Sequence, residues 1–134
     1  MTGPSTVLAT GERLDRDETS AVAEAERCLT AALDPAGEGA RAFTLIDADR
    51  TRVEAQASDL LRAQGIVPSP LAGIPISVKD LFDVTGQITK AGSVARDGSP
   101  AAAADATAIA RLRAAGAVMV GRTNMTEFAY SGVG

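Results

Sequence analysis

The sequence predicts an α/β fold, and three observations carry that reading. Short apolar runs alternate with stretches whose apolar residues recur at helical spacing. Between residues 74 and 120 a strand, a long connection, a helix and a second strand follow in order. Such a unit sets parallel strands side by side through a right-handed crossover and covers the sheet with helices. The composition, 46% hydrophobic with much alanine but only 3% aromatic and no Trp, suits helices packed closely on a sheet and argues against disorder. At 134 residues the chain fits one domain and is long enough to bury a core.

Each element has a local reason. Residues 1–14 are polar and contain Gly, Ser and Thr, which predicts a frayed tail. Behind the acidic start Asp15, Asp17 and Glu18, the residues Val22, Ala25, Leu29, Ala32 and Leu33 recur at helical spacing, until Pro35 and Gly37 stop the run. "AFTLID" (42–47) reads as a strand. In "ADRTRVEAQASDLLRAQG" the stripe Val53, Ala57, Leu60 and Leu61 predicts a second amphipathic helix, with Gly65 just past its end. "VPSP" (67–70) is a rigid turn, and residues 74–78 form a second strand with Pro75 near its start, where a missing N–H is tolerated. "DVTGQITKAGSVARDGSP" is loop-like. Asp105 reads as the N-cap of a helix that presents Ala108, Ile109, Leu112 and Ala115 and ends at Gly116; the alanines 101–104 begin it, and "AVMV" (117–120) follows as a fully apolar strand. No internal repeat is visible.

Charge and composition exclude several functions. A net charge of −4 and a pI near 4.8, with no basic cluster, lack the electrostatic footprint of a nucleic-acid or anionic-membrane binder. Cys28 is alone, so no intrachain disulfide forms; a reducing compartment and a packing role on the first helix are expected. The first ten residues carry no basic residue and no apolar run, and no stretch approaches the roughly 18 apolar residues of a membrane span, so the expected location is cytoplasmic. The chain has no histidine, which removes Ser-His-Asp triads, Cys-His pairs and His-containing zinc sites. Asp83, Asp97 and Asp105 are scattered rather than paired with Asp or Glu at metal-ligand spacing, so no metal is expected. Chemistry is left to Lys, Ser/Thr, Asp/Glu, Tyr and the backbone.

One lysine stands out. The chain has two lysines against eleven arginines, and Lys79 closes the apolar run "GIPISVK". Residues two apart on a strand share a face, so Ser77 and Lys79 point one way and Val78 the other. Lys79 is then either a structural cation emerging at the strand's end beside Asp80, or an amine held in a partly dry pocket for its chemistry, since Lys, unlike Arg, gives up its proton when desolvated. A shift of about 3 pK units costs roughly 4 kcal/mol, which the fold would have to offset. No Ser stands three residues before Lys79 or Lys90, so the S-x-x-K motif is absent. In "GRTNMTEFAY" (121–130), Thr123, Asn124 and Glu127 are either binding contacts after an apolar strand or the cap of a short helix. "SGVG" (131–134) reads as a flexible turn or as half of a glycine-rich phosphate loop.

Taken together, "GIPISVKDLFDVTG", "TKAGS" and "DATAIARLRAAGAVMVGRTNMTEFAYSG" resemble, in order and spacing, the N-terminal part of the amidase signature family. The resemblance runs from about residue 42 to 134. It implies the N-terminal part of an α/β/α domain around a mixed sheet, and hydrolysis of amides to acid plus ammonia or amine by a Ser-cisSer-Lys triad, with no cofactor. Lys79 matches the family's catalytic lysine. In that scheme a neutral lysine takes a proton from a bridging serine, which activates the nucleophilic serine, and backbone N–H groups form the oxyanion hole. The family's Gly/Ser-rich signature, source of both serines, follows the "TNMTEFAYSG" segment and does not occur in these 134 residues; Ser77 and Ser93 match neither serine. Thr89 and Ser93, from "TKAGS", with Thr123 and Asn124, are the accessory or substrate-binding candidates.

The resulting expectation is a front fragment of an amidase that carries the catalytic lysine alone and is inactive by itself. The alternative is a non-catalytic module that pairs with a homologous amidase or amidotransferase subunit; a small nucleotide-binding domain would rest on "SGVG" alone. The partners expected are a small-molecule amide in the complete enzyme, no nucleic acid, no membrane, and self-association through a sheet edge left open after the "AVMV" strand.

Overall fold

A computed structural model describes residues 6–130. In chain order they form α1 (Val7–Asp15), α2 (Ala21–Leu33), the single turn α3 (Gly39–Ala42), β1 (Phe43–Ile46), α4 (Ala48–Ala63), β2 (Pro75–Lys79), α5 (Thr107–Ala114) and β3 (Val118–Thr123), with 3₁₀ turns at Val94–Arg96 and Glu127–Ala129. The sheet order is β1-β3-β2. β2 and β3 run parallel, as the crossover between them predicts, and β1 pairs antiparallel with β3, so the sheet is mixed.

Two apolar clusters show where the helices lie. Ala21, Ala25 and Ala55 from α2 and α4 close on Val118, while Val78, Val84 and Ile109 close on Met119. Val118 and Met119 are neighbours on β3 and point to opposite faces, so α2 and α4 cover one side of the sheet and α5 the other. Alanines at the first contact let the helix backbones approach the strand closely, which is the use of this alanine-rich composition.

Helix ends follow sequence signals. Ser20 caps α2 by accepting from Ala23 N–H at 3.0 Å, and Asp47 caps α4 by accepting from Arg50 N–H at 3.1 Å. Past α4, Gly65 takes φ +73°, and the Ile66 N–H reaches back to the Leu61 carbonyl at 2.9 Å, as predicted for a glycine just beyond a helix.

Four expectations are corrected. Residues 7–14, read as part of a frayed tail, belong to α1; Thr6 caps it through Ala9 N–H at 3.1 Å, and Leu14 is buried. On α4 the predicted stripe faces out, with Val53, Leu60 and Leu61 exposed, while Thr51 and Ala55 face in. Asp105 does not cap α5, whose N-cap is Ala106; its carboxylate accepts instead from the Thr85 N–H and hydroxyl at 2.7 and 2.9 Å and lies 2.8 Å from Arg113. The "AVMV" run belongs to the central strand β3, and among the described strands the edges are β1 and β2, so any association through an edge falls to those two. Cys28 lies half-buried on α2, where burial pushes its thiol pKa up. "SGVG" lies outside the described residues, and no described helix is long and apolar enough to cross a membrane.

Candidate active site

Lys79 is the last residue of β2, and the ladder places it opposite Thr123 while Val78 stands opposite Arg122. Alternation does what the sequence predicts here: Ser77 and Lys79 are exposed and Val78 is buried. Pairing continues one residue further, where Asp80 N–H donates to the Thr123 carbonyl at 3.0 Å. The Lys79 ammonium has no ion-pair partner among the described residues, whereas Lys90 is paired with Asp97 at 2.8 Å. The hydrogen bond and charge of Asp97 raise the Lys90 pKa and hold that ammonium protonated.

The backbone beyond Lys79 is tightly tied. Phe82 N–H donates to the Lys79 carbonyl at 3.1 Å, and Ala91 N–H to the Asp80 carbonyl at 2.8 Å. Asp80 is buried and accepts from Arg122 Nε at 2.8 Å, from the Thr44 hydroxyl at 3.2 Å and from Lys90 N–H at 3.4 Å. Arg122, itself only 1% exposed, also donates to the Phe82 carbonyl at 2.7 Å.

The other candidates are hydrogen-bonded within the protein. Thr89 is buried and donates to Asp83 at 2.7 Å; Ser93 is buried, donates to Glu127 at 2.5 Å and accepts from Ala95 N–H at 3.2 Å. Asn124 is exposed, with its N–H on the Ala42 carbonyl at 2.8 Å and its side-chain oxygen on Met125 N–H at 2.9 Å. Thr123 is partly buried beside Lys79. Phe128 N–H donates to the Ala91 carbonyl at 2.8 Å, so "TKAGS" and the stretch after β3 form one packed layer behind the lysine. The five candidates do not converge into one polar cluster. Lys79 presents an exposed side chain with no ion-pair partner among the described residues, and Thr89 and Ser93 act within the scaffold around it.

Sequence reasoning missed the Arg122–Asp80 pair. Its signal was an arginine two residues after the apolar run "AVMV" and still within the central strand, where a cation needs a buried partner. No group of three or more His, Cys, Asp or Glu among the described residues is placed to hold a metal ion.

Known proteins resemble this chain in sequence and fold. The family model described as Amidase matches residues 27–134. The AtzE subunit of 1-carboxybiuret hydrolase from Pseudomonas sp. (strain ADP) is 53% identical over 89 residues, 66% of this chain and 20% of that protein. A glutamyl-tRNA(Gln) amidotransferase subunit of Roseiflexus castenholzii is 42% identical over 127 residues, 92% of this chain and 25% of that protein. A solved structure of a vestigial protein complex, tied to the evolutionary origins of an s-triazine catabolic enzyme, superimposes with a TM-score of 0.85 at 42% identity, covering 94% of this chain and 27% of that one. The chain thus spans a fifth to a quarter of the curated relatives it matches.

Proposed function

The chain belongs to the amidase family, and we propose that its part in amide hydrolysis is to present Lys79 as the terminal base of a proton relay. The observation that carries this reading is the exposed Lys79, without an ion-pair partner among the described residues, at the end of a strand whose next residues are clamped. Neutral Lys79 accepts a proton from a bridging serine; that serine takes one from the nucleophilic serine as it attacks the amide carbon. When the C–N bond breaks, the relay returns a proton to the departing amine, and water then releases the acid. Neither serine lies within these 134 residues, so the isolated chain supplies one member of the triad and does not turn over by itself. The substrate class is a small carboxylic amide.

The test is a chimera in which residues 1–134 replace the matching segment of a full-length amidase. The expected result is amide hydrolysis that Lys79→Ala abolishes. A folded chimera without turnover, or one that keeps turnover after Lys79→Ala, overturns the reading.

A second reading is supported by the names of the relatives, two of which are subunits. In it the chain pairs with a homologous amidase or amidotransferase subunit through the open side of β1 or β2. Co-purification with a full-length homologue supports it, and a monodisperse, cooperatively unfolding monomer in the presence of that homologue removes it.

A further inference from the structure

We infer that Arg122 is the positioning residue for Lys79, acting from the opposite face of the sheet. This rests on the reading of Lys79 as the relay base. The ladder sets Arg122 beside Val78, so its side chain lies with Val78 on the face covered by α5, while Lys79 and Thr123 face the other way. Asp80, two residues after Val78, returns to the covered face and meets Arg122 there, Nε to Oδ1 2.8 Å, with both side chains almost completely buried.

The guanidinium does more than neutralise one carboxylate. Its Nη2 donates to the Phe82 carbonyl at 2.7 Å and to the Thr89 hydroxyl at 3.4 Å, and Nη1 donates to Gln87 Oε1 at 3.3 Å. All four acceptors belong to residues 80–89, the turn that leaves the lysine. One planar fork on the rigid central strand therefore holds both ends of that turn, and the backbone carrying Lys79 cannot pivot about the strand end. A lysine at 122 has one nitrogen and cannot span these acceptors. Without Arg122, Asp80 becomes a buried carboxylate that has lost its ion-pair partner, and the Phe82 carbonyl loses its charged donor. The turn then opens first, because among the described residues no other charged group donates to the Phe82 carbonyl.

The test separates positioning from general stability. In the 134-residue chain, Arg122→Gln is expected to speed amide hydrogen exchange about tenfold or more at Asp80, Phe82 and Ala91, while amides of α2 and α4 stay within about twofold. A uniform acceleration, or none, overturns the inference. Should Arg122→Gln fail to fold, Thr89→Val removes one acceptor and is expected to give the same local pattern at smaller amplitude; a protection pattern indistinguishable from the parent overturns the inference equally. In the active chimera, Arg122→Gln is expected to lower kcat by about a hundredfold with KM within about threefold, and Arg122→Lys to recover only part of it. An unchanged kcat in the folded variant overturns the inference. Retained turnover in Lys79→Ala would instead remove the reading of Lys79, leaving the exchange result to stand as a property of the turn.

Discussion

The Thr51 hydroxyl on α4 lies 2.8 Å from both the Met119 carbonyl on β3 and the Asp47 carbonyl of its own helix and shares its one proton between them, and Glu54 on the same helix accepts from the Met119 N–H at 2.9 Å. The geometry has a cause. β1 pairs with β3 only as far as Ile46 opposite Gly121, so the next backbone groups of the central strand have no strand beside them. Buried amides left alone cost free energy, and here two helix side chains complete what the short strand does not reach. Glu54 is held in place by Arg50 and Arg113, at 3.1 and 2.6 Å.

Thr51→Val keeps the shape of this fully buried side chain and removes its hydroxyl. The Met119 carbonyl then loses its donor while staying shielded, at an expected cost of about 1–3 kcal/mol. Urea denaturation of the two chains measures the difference. A variant as stable as the parent would mean that water or the backbone replaces the bond.

The same contact explains why the pattern of α4 misleads. Its hydrophobic stripe, Val53, Ala57, Leu60 and Leu61, gives a good amphipathic pattern, yet the face against the sheet is set by Thr51 and Ala55. Hydropathy rewards large apolar side chains, whereas this interface demands small ones for close approach and polar ones for the unpaired backbone. The α2 pattern was legible because Ala25, Leu29 and Ala32 meet no such demand. Of its predicted stripe only Leu33, in the last turn, is exposed.

Acid is expected to loosen the junction of α1 and α2 through Glu24. Burial of this carboxylate, only 2% exposed, works to raise its pKa, but the hydrogen bonds from Arg27 and Thr19 and the charges of Arg27 and Arg13 outweigh it and hold the pKa below the usual 4.5. A depressed folded pKa means stability that is present above the unfolded value and lost as pH falls through the folded one. The loss therefore begins near 4.5 and continues below it. Glu24→Gln is expected to cost about 1–3 kcal/mol at neutral pH and to flatten the decline below about pH 4.5, read from urea midpoints. An equal decline in both proteins would assign the acid sensitivity to other carboxylates such as Asp105, whose pKa is also lowered, chiefly by the Thr85 N–H.

Gly92 is the point where "TKAGS" touches the stretch after β3. It has φ +68°, and a Cβ built there would lie 2.5 Å from the Met125 carbonyl oxygen and 3.2 Å from the Thr126 carbonyl carbon. Gly92→Ala is expected to cost about 1–3 kcal/mol and to disrupt the neighbouring bonds of Ser93 with Glu127 and of Phe128 with Ala91. Gly86→Ala serves as the control: its φ is +80°, but nothing lies within 4 Å, so only the backbone term of about 1 kcal/mol applies. Equal losses in the two variants would show that the contact at Gly92 carries no weight.

The two halves of the candidate site were unequally legible. Lys79 announced itself through strand alternation and its place in "GIPISVK". The residues that hold its backbone did not, because Arg122 and Asp80 are 42 positions apart and meet only through the register of two parallel strands. Thr89 and Ser93 lie in the expected segment, and their hydroxyls are spent on Asp83 and Glu127, acidic residues that no local pattern ties to them.

Lys79→Ala should separate stability from function more sharply than any other substitution in this chain. The side chain is exposed and has no ion-pair partner among the described residues, so its removal is expected to change unfolding free energy by no more than about 0.5 kcal/mol. In the active chimera the same change removes the terminal base, with an expected loss of about 10²–10⁴-fold in kcat. Lys90→Ala provides the opposite case. It breaks an exposed pair with Asp97, where about 0–1 kcal/mol is at stake, and is expected to leave turnover unchanged. Urea denaturation of the chain and steady-state kinetics of the chimera, run on both variants, give four numbers. If Lys79→Ala destabilises the chain by clearly more than about 0.5 kcal/mol, Lys79 is a structural cation and the relay reading loses its basis.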